Sequence, residues 1–362
     1  MKLKEQNVLF LTRTMALGGT ENVILQLCEI LKPKVNKIIV CSCGGVNEEK
    51  LQQMGIKHIK IHDMENKNPI KILQNATKIK KIIKDEKITI IHSHHRMAAM
   101  YANLVANKKI IKIANAHNTF YDKKLLTKLA YKNTNIIAVG EQVKRNLTEF
   151  YNFSNNQVSV IHNAIKPFEE KIILDKNIEK AKKDGNIIIG NIGRLSEQKG
   201  MEYFLNAIPQ INKGNHKIKF YIIGSGEDED KLKQLCNDLK LSDVVEFMGY
   251  RNDIQNLISQ MDFVVLSSLW EGLPLTPIEA FSVGKTIVAT AVDGTVEIVK
   301  DKENGLLVPP RDSKSIAEAI EKIINNKTLK EKFEKNAIET YKNEFSFDKL
   351  KEKYVDFYKE LR

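Results

Sequence analysis

The chain has 362 residues, 42% of them hydrophobic and 28% charged, and a formal net charge of +12. That length suits two domains of ordinary size, and that composition excludes collagen-like, coiled-coil and disordered chains. The charge is uneven: residues 1–166 hold 27 Lys and Arg against 12 Asp and Glu, and the remainder holds 30 against 33.

Short apolar runs alternate with amphipathic ones from the start. Strands are predicted at 7–12, 37–43, 88–92, 110–116, 135–139 and 158–161. Helices are predicted at 20–31, with Thr20 as N-cap, and at 70–84, 97–106, 123–132 and 142–150. The polar stretch 166–185 has no clean period and reads as a linker, with 167–185 as its core. The alternation then restarts, with strands at 186–192, 218–223, 244–248, 263–266 and 286–289. Helices are predicted near 200–212, 229–239, 253–260, 277–284, 314–325 and 328–342, and a last amphipathic helix at 347–361. Such alternation implies parallel sheets covered by helices on both faces, an α/β class. Two such units joined by a linker are expected to leave a ligand cleft at the carboxyl ends of the strands.

Cys28, Cys41, Cys43 and Cys236 are too few and too scattered for a disulfide scaffold and read as reduced thiols of a cytosolic protein. No apolar run approaches a membrane span, and the chain opens directly on a strand.

Three loops carry chemistry. In SSLWEGLPLTPIEAFSVG, Glu271 lies in a loop with Gly272 and Pro274, and Thr276-Pro277-Ile278-Glu279 reads as a helix start. Glu279 fits two roles: the acid of a T-x-x-E capping box, or a carboxylate for a ribose diol beside N–H groups that face an anion. In IGRLSEQKG, Arg194 and Lys199 follow a strand; they are either surface charge or the cations of a diphosphate site. In MALGGT, Gly18-Gly19 lets backbone N–H groups approach a ligand, although no dinucleotide fingerprint is present. Asp228-Glu-Asp230 is formally D-x-D, but at a helix start it reads as dipole-complementing acid, and no essential metal is predicted. His92-Ser-His94-His95, after a strand with no carboxylate or Cys nearby, reads as lining the cleft in preference to binding metal.

Together these segments resemble the retaining glycosyltransferases of family 4, which have the two-domain GT-B fold. The Glu271/Glu279 E-x7-E pair carries the resemblance, with Arg194 and Lys199 in GRLSEQKG, Gly18-Gly19, His117 in NAHNT, VIHN at 160–163 and the closing segment ATAVDGTVEIVKDKENGLLVPPRD. It departs from the family at Lys285-Thr286, where G-x-P is common.

The resemblance implies two Rossmann-like domains whose sheets face each other across a cleft. Residues 1–166 would bind the acceptor and 186–345 the NDP-sugar, UDP being the family's commonest carrier; 346–362 is a helix that could pack back on the first domain. It implies that Arg194 and Lys199 bind the diphosphate and Glu279 the ribose. Glu271 would contact the transferred sugar, with Gly272, Leu273, Pro274, Leu275 and Thr276 beside it. Gly18 and Gly19 would lie near the phosphates, and His117 at the reaction centre. His117, Arg194, Lys199 and Glu271 are thus the expected catalytic set, with no metal and no cofactor. The physical reading agrees, because fixed cations and a helix N-terminus stabilise the charge that develops on a leaving diphosphate. Two carboxylates on one loop–helix unit look like binding groups, unlike the flanking pair of a glycoside hydrolase.

The basic half has three readings. A nucleic-acid binder needs stacking platforms or a recognition helix, and neither motif is present. A solvated surface is the plain reading. The third is an anionic membrane surface, met by the Lys- and Leu-rich segment 120–133 and the Lys- and Ile-rich segment 70–84. That predicts a protein peripheral to the cytoplasmic membrane, with a glycan or lipid-linked acceptor in surface-polysaccharide synthesis. A sugar-nucleotide epimerase on the same fold and a catalytically silent partner subunit are the alternatives.

Overall fold

The computed structural model describes residues 2–211 and 216–361. The chain divides into two compact units, Met1–Asn163 with Leu350–Arg362, and Ala164–Lys349.

The first unit is built on β1 (Asn7–Leu11), β2 (Lys37–Ser42), β3 (Lys57–Lys60), β4 (Ile90–Ser93), β5 (Ile111–Ala116), β6 (Asn135–Ala138) and β7 (Val158–Val160). Among the described residues these form one sheet in the order β3-β2-β1-β4-β5-β6-β7, every pair parallel. β1 is buried along its whole length, which is why it reads as a continuous apolar run. On one face Leu9, Ile39 and Ile91 pack against Ile79 and Ile82 of the helix Pro69–Asp85 and Ala98 and Tyr101 of the helix Arg96–Val105. The segment KHIK of β3 was not predicted. It is a half-exposed edge strand of four residues, two of them lysine, and shows no apolar run.

The second unit is built on β8 (Asn186–Ile192), β9 (Lys217–Ile223), β10 (Val245–Gly249), β11 (Phe263–Leu266), β12 (Ile287–Thr290) and β13 (Gly305–Val308). Their order is β10-β9-β8-β11-β12-β13, again all parallel. β13 was also not predicted. Its core gathers Phe204, Phe220, Phe263, Ile316, Ile320 and Phe333. The predicted helix 200–212 is the shorter helix Met201–Ala207 with a tighter turn, Ile208–Gln210; residue 212 lies outside the described residues.

In both sheets the strand order reverses beside the first strand of the unit, at β1/β4 and at β8/β11. Such a reversal leaves a crevice outside the carboxyl ends of the strands, where α/β sheets bind ligands. Gly18-Gly19 and His94 follow β1 and β4, and Arg194, Lys199 and Glu271 follow β8 and β11. Topology therefore carries the sequence-predicted residues to the two switch points.

The predicted linker 167–185 is not a loose connector, and the second unit already begins at Ala164. It carries the helix Lys176–Lys183, capped by the Asp175 carboxylate, which accepts from the N–H groups of Asn177 and Ile178. Asn256 accepts from the N–H of Ile173 at 2.9 Å and donates to its carbonyl, and Gln260 accepts from the N–H of Asp175. The helix buries only Ile178 and Ala181, too little for a period to show in sequence.

The C-terminal helix Phe347–Glu360 returns to the first unit from Leu350 onward. It buries Tyr354 and Tyr358 completely. The Tyr358 hydroxyl lies 2.7 Å from His92 Nδ1, and His92 Nε2 lies 2.7 Å from Asn115 Oδ1. The Asn115 amide in turn donates to the Tyr354 hydroxyl at 2.7 Å. Replacement Tyr358→Phe strands the His92 lone pair, so urea unfolding is expected to show a loss of about 1–2 kcal/mol. No measurable loss would mean that this bond does not hold the helix.

Candidate functional site

In the second unit the loop after β8 turns through Gly193, whose φ of +158° places it at the border of the region that favours glycine. A Cβ there would meet the Lys199 side chain at 3.2 Å. The N–H of Leu195 donates to Ser225 and that of Asp228 to Leu195, so the loops after β8 and β9 are stitched together. The short turn Glu197–Lys199 is tied to the loop after β11 by Leu269 N–H to Gln198 at 2.7 Å and by the Ser267 hydroxyl to Lys199 O at 3.0 Å.

These bonds place Lys199 Nζ 2.5 Å from Glu271 Oε1, with side-chain exposures of 16% and 7%. The same Glu271 oxygen accepts from the Ser268 hydroxyl at 2.7 Å, and Gln198 Nε2 reaches the other oxygen at 3.5 Å. A nearly buried ion pair fixes both groups in position and leaves little freedom to lose on binding a ligand. Glu279 is half-buried on the helix Leu275–Ser282, where burial raises its carboxyl to about 7, opposed by the charge of Lys199.

The capping-box reading of Thr276 and Glu279 does not hold. The helix begins at Leu275 after Pro274, and the Thr276 hydroxyl donates to Ile192 O at 3.3 Å. Thr276 is spent tying the helix start to the end of β8, so the first-turn N–H groups have no side-chain cap. Gly272 and Leu273 lie under Gly294, where a Cβ would come within 1.8 Å of the Gly272 carbonyl. Arg194 stands apart: its side chain is 71% exposed and its Nε donates to Glu227 at 3.1 Å. Asp228 precedes the helix Glu229–Asp238, whose first turn holds Glu229 and Asp230.

In the first unit Gly18 precedes the helix Gly19–Leu31, so Thr20 lies inside the first turn and is not the predicted N-cap. Glu21 is held by the Thr14 hydroxyl at 2.5 Å. A cavity of about 140 Å³ is lined by Thr20, His94, Arg96, His117, Thr127 and Tyr151, among others. His117 Nε2 lies 3.3 Å from His94 Nδ1. Burial lowers the pKa of His117 to about 4 and that of His94 well below the ordinary histidine range, so both rings are neutral.

The histidine cluster is split. His94 and His95 line the cavity, but His92 does not: it is fully buried, with both nitrogens engaged by Tyr358 and Asn115. Among the described residues no group of three or more His, Cys, Asp or Glu side chains is placed to hold a metal. Ser268 and Gln198 stand at this site although sequence reading gave them no role, and His94 takes the cavity-lining place read for its run. Ser268 stands three residues before Glu271, and that spacing was the one available signal.

Two all-parallel α/β units, each with charged or polar groups at its switch point, agree with the fold class that the sequence resemblance implies. The family model for Glycosyltransferase Family 4 matches residues 17–167, and that for Glycosyl transferases group 1 matches residues 174–340. A glycosyltransferase of Methanocaldococcus jannaschii is 30% identical over 298 residues, 76% of each chain. The UDP-Gal:alpha-D-GlcNAc-diphosphoundecaprenol alpha-1,3-galactosyltransferase of Escherichia coli is 27% identical over 365 residues, 94% of each. Among solved structures, Anabaena HepE in complex with UDP matches with a TM-score of 0.84 at 21% identity, covering 98% of this chain and 100% of that one. The chain belongs to the family 4, group 1 glycosyltransferases.

Proposed function

We propose that the protein is a retaining hexosyl- or N-acetylhexosaminyltransferase. It moves a sugar from a UDP-sugar to a glycan or lipid-linked acceptor in surface-polysaccharide or glycoconjugate synthesis. The observation that carries this reading is the buried Lys199–Glu271 pair at the second unit's switch point, with Glu279 beside it. UDP as carrier is supported by the UDP and UDP-glucose complexes of HepE, and a lipid-linked acceptor by the name of the E. coli relative.

Chemically, the bond from the anomeric carbon to the diphosphate oxygen breaks and a bond to an acceptor oxygen forms on the same face. The acceptor's proton passes to the departing diphosphate. Lys199 and the uncapped N–H groups of Leu275–Ser282 face the charge that develops on that diphosphate, so they favour the transition state over the ground state. Arg194, exposed and bonded to Glu227 through Nε alone, keeps its remaining guanidinium N–H groups for the phosphates. Glu271 accepts from a hydroxyl of the transferred sugar and Glu279 from the ribose. Gly18-Gly19 and His117 are the first unit's contribution, and no metal is required. A thermal-shift panel of nucleotide sugars tests the donor: a UDP-sugar is expected to raise Tm most. A larger rise with a GDP- or ADP-sugar would refute UDP.

We also propose peripheral attachment at the inner face of the cytoplasmic membrane. No helix among the described residues is long and apolar enough to cross a membrane. The helix Pro69–Asp85 exposes Ile70 and Leu73 among lysines, and Tyr121, Leu125 and Leu129 are exposed around the helix Lys124–Ala130. That helix is shorter than the predicted 123–132, because Lys123 takes a left-handed conformation and the backbone leaves helical geometry at Tyr131. Co-sedimentation with anionic liposomes is expected at low salt and lost at high salt. Equal recovery with zwitterionic liposomes, or none with either, would refute it.

A further inference from the structure

We infer that His94 fixes the tautomer of His117: it donates from Nδ1 to His117 Nε2, so that His117 presents Nδ1–H to the substrate. The functional half rests on the proposed role of His117 as a contact to a sugar hydroxyl; the tautomer itself does not.

His94 is 1% exposed and follows β4, with its backbone N–H on Leu11 O at 2.9 Å. Its ring lies between those of His92 and His117, with centroid separations of 4.6 and 5.5 Å, and the Phe10 ring is 5.6 Å away. The His92 and His117 rings both stack on it, each at an interplanar angle of 29°. Along the 3.3 Å line between His94 Nδ1 and His117 Nε2, two neutral rings can place only one hydrogen.

Two arrangements result. If His117 donates from Nε2, the single hydrogen of His94 sits on its own Nε2. If His94 donates from Nδ1, its Nε2 carries only a lone pair. His94 Nε2 is buried and meets no hydrogen-bond partner among the described residues. A buried N–H without an acceptor is rarer in folded proteins than a buried acceptor without a donor. His117 is half-buried and lines the cavity, so it is not enclosed as His94 is. The buried nitrogen therefore decides, and the hydrogen goes on His94 Nδ1.

His92 supplies an internal contrast. With Asn115 oriented so that its Oδ1 faces His92 and its amide N–H faces the Tyr354 hydroxyl, His92 carries its hydrogen on Nε2. Neighbouring stacked rings thus hold opposite tautomers. A His117 that presents Nδ1–H donates to a sugar or leaving-group oxygen and does not take a proton. It acts as a fixed dipole in the transition state, and His94 is its positioning residue.

The test is a two-bond proton–nitrogen correlation on ligand-free protein with isotope-labelled histidine near neutral pH, assigned by loss of signals in His117→Gln. His117 is expected to show a protonated Nδ1 and a bare Nε2. A bare Nδ1, or two protonated nitrogens, overturns the inference. In His94→Leu the nitrogens of His117 are expected to average between tautomers, and kcat for transfer to fall on the order of tenfold with KM for the donor little changed. His94→Gln, whose amide can donate to the same nitrogen, is expected to keep the His117 spectrum and most of kcat. A single unchanged tautomer in His94→Leu overturns the role of His94; if that variant does not fold, the wild-type and His94→Gln spectra decide. UDP-sugar binding on the same samples separates the two readings. A protonated Nδ1 without UDP-sugar binding refutes the proposed function alone, and UDP-sugar binding with a bare Nδ1 refutes the tautomer alone.

Discussion

Lys199→Met is expected to reduce sugar transfer by at least about a hundredfold, the scale seen when one fixed group facing developing charge is removed. It is also expected to destabilise the fold. Glu271 would keep the Ser268 hydroxyl and Gln198 but lose its cation while almost wholly buried. Breaking such a pair from one side costs about 3–5 kcal/mol; with two hydrogen bonds left in place, the lower end applies. The double variant Lys199→Met/Glu271→Leu removes both charges and is expected to recover most of that stability, because replacing a whole buried pair by apolar groups is often neutral. It should recover no transfer. Urea unfolding and initial transfer rates on the three proteins separate a structural ion pair from a functional one. Near-normal turnover in Lys199→Met would remove this loop from the donor site.

Much of this architecture was legible because buried parallel strands write themselves as apolar runs. β1, β8 and β11 are covered on both faces, and each was predicted within a residue or two. β3 was missed because an edge strand of sequence KHIK has no such requirement. The helix Lys176–Lys183 was missed because eight residues with two buried positions give no period. At the site, the residue types and their loops were readable, but their partners were not. Thr276 looked like a cap from its spacing to Glu279, yet its hydroxyl is used across the sheet edge by Ile192, 84 positions away in sequence. The His92–His95 run looked like one cluster. Alternation keeps His92 and His94 on one side, where their rings stack, and depth splits the run: His92 lies inside the sheet, bonded to Tyr358 and Asn115, while His94 and His95 follow the end of β4 and line the cavity. No local pattern encodes a partner that arrives from the C-terminal helix.

The charge asymmetry can be weighed against that geometry. The second half of the chain is nearly neutral overall, and there Lys199 is paired with the buried Glu271. A donor diphosphate would be recognised by placed groups and not by bulk field. The excess positive charge sits in the first half, where Ile70, Leu73 and Leu125 are also exposed. Charge and apolar exposure there are the two features that the proposed membrane attachment would use.

Glu279→Gln is expected to change both the pH dependence of stability and that of donor binding. In the folded protein burial holds this carboxyl at about 7, against an ordinary value of 4.5. Below the ordinary value both states are protonated and the shift has no effect. Between the two values the folded state binds more protons than the unfolded state, so this group makes stability fall as pH rises, and the loss is complete above about 7. For a half-buried group the loss is on the order of 2–3 kcal/mol. Glu279→Gln carries no such penalty, so relative to wild type it should gain that amount between weakly acidic and weakly alkaline pH in paired denaturation curves. Binding runs the opposite way. A ribose diol donates to the ionised carboxylate, so wild-type affinity for a UDP-sugar should rise through neutrality. The glutamine variant should bind about tenfold more weakly at alkaline pH, with a flat profile, because a charge-assisted bond has become a neutral one. A flat wild-type profile together with unaltered affinity in the variant would show that Glu279 is a buried acid of the helix and takes no part in holding the donor.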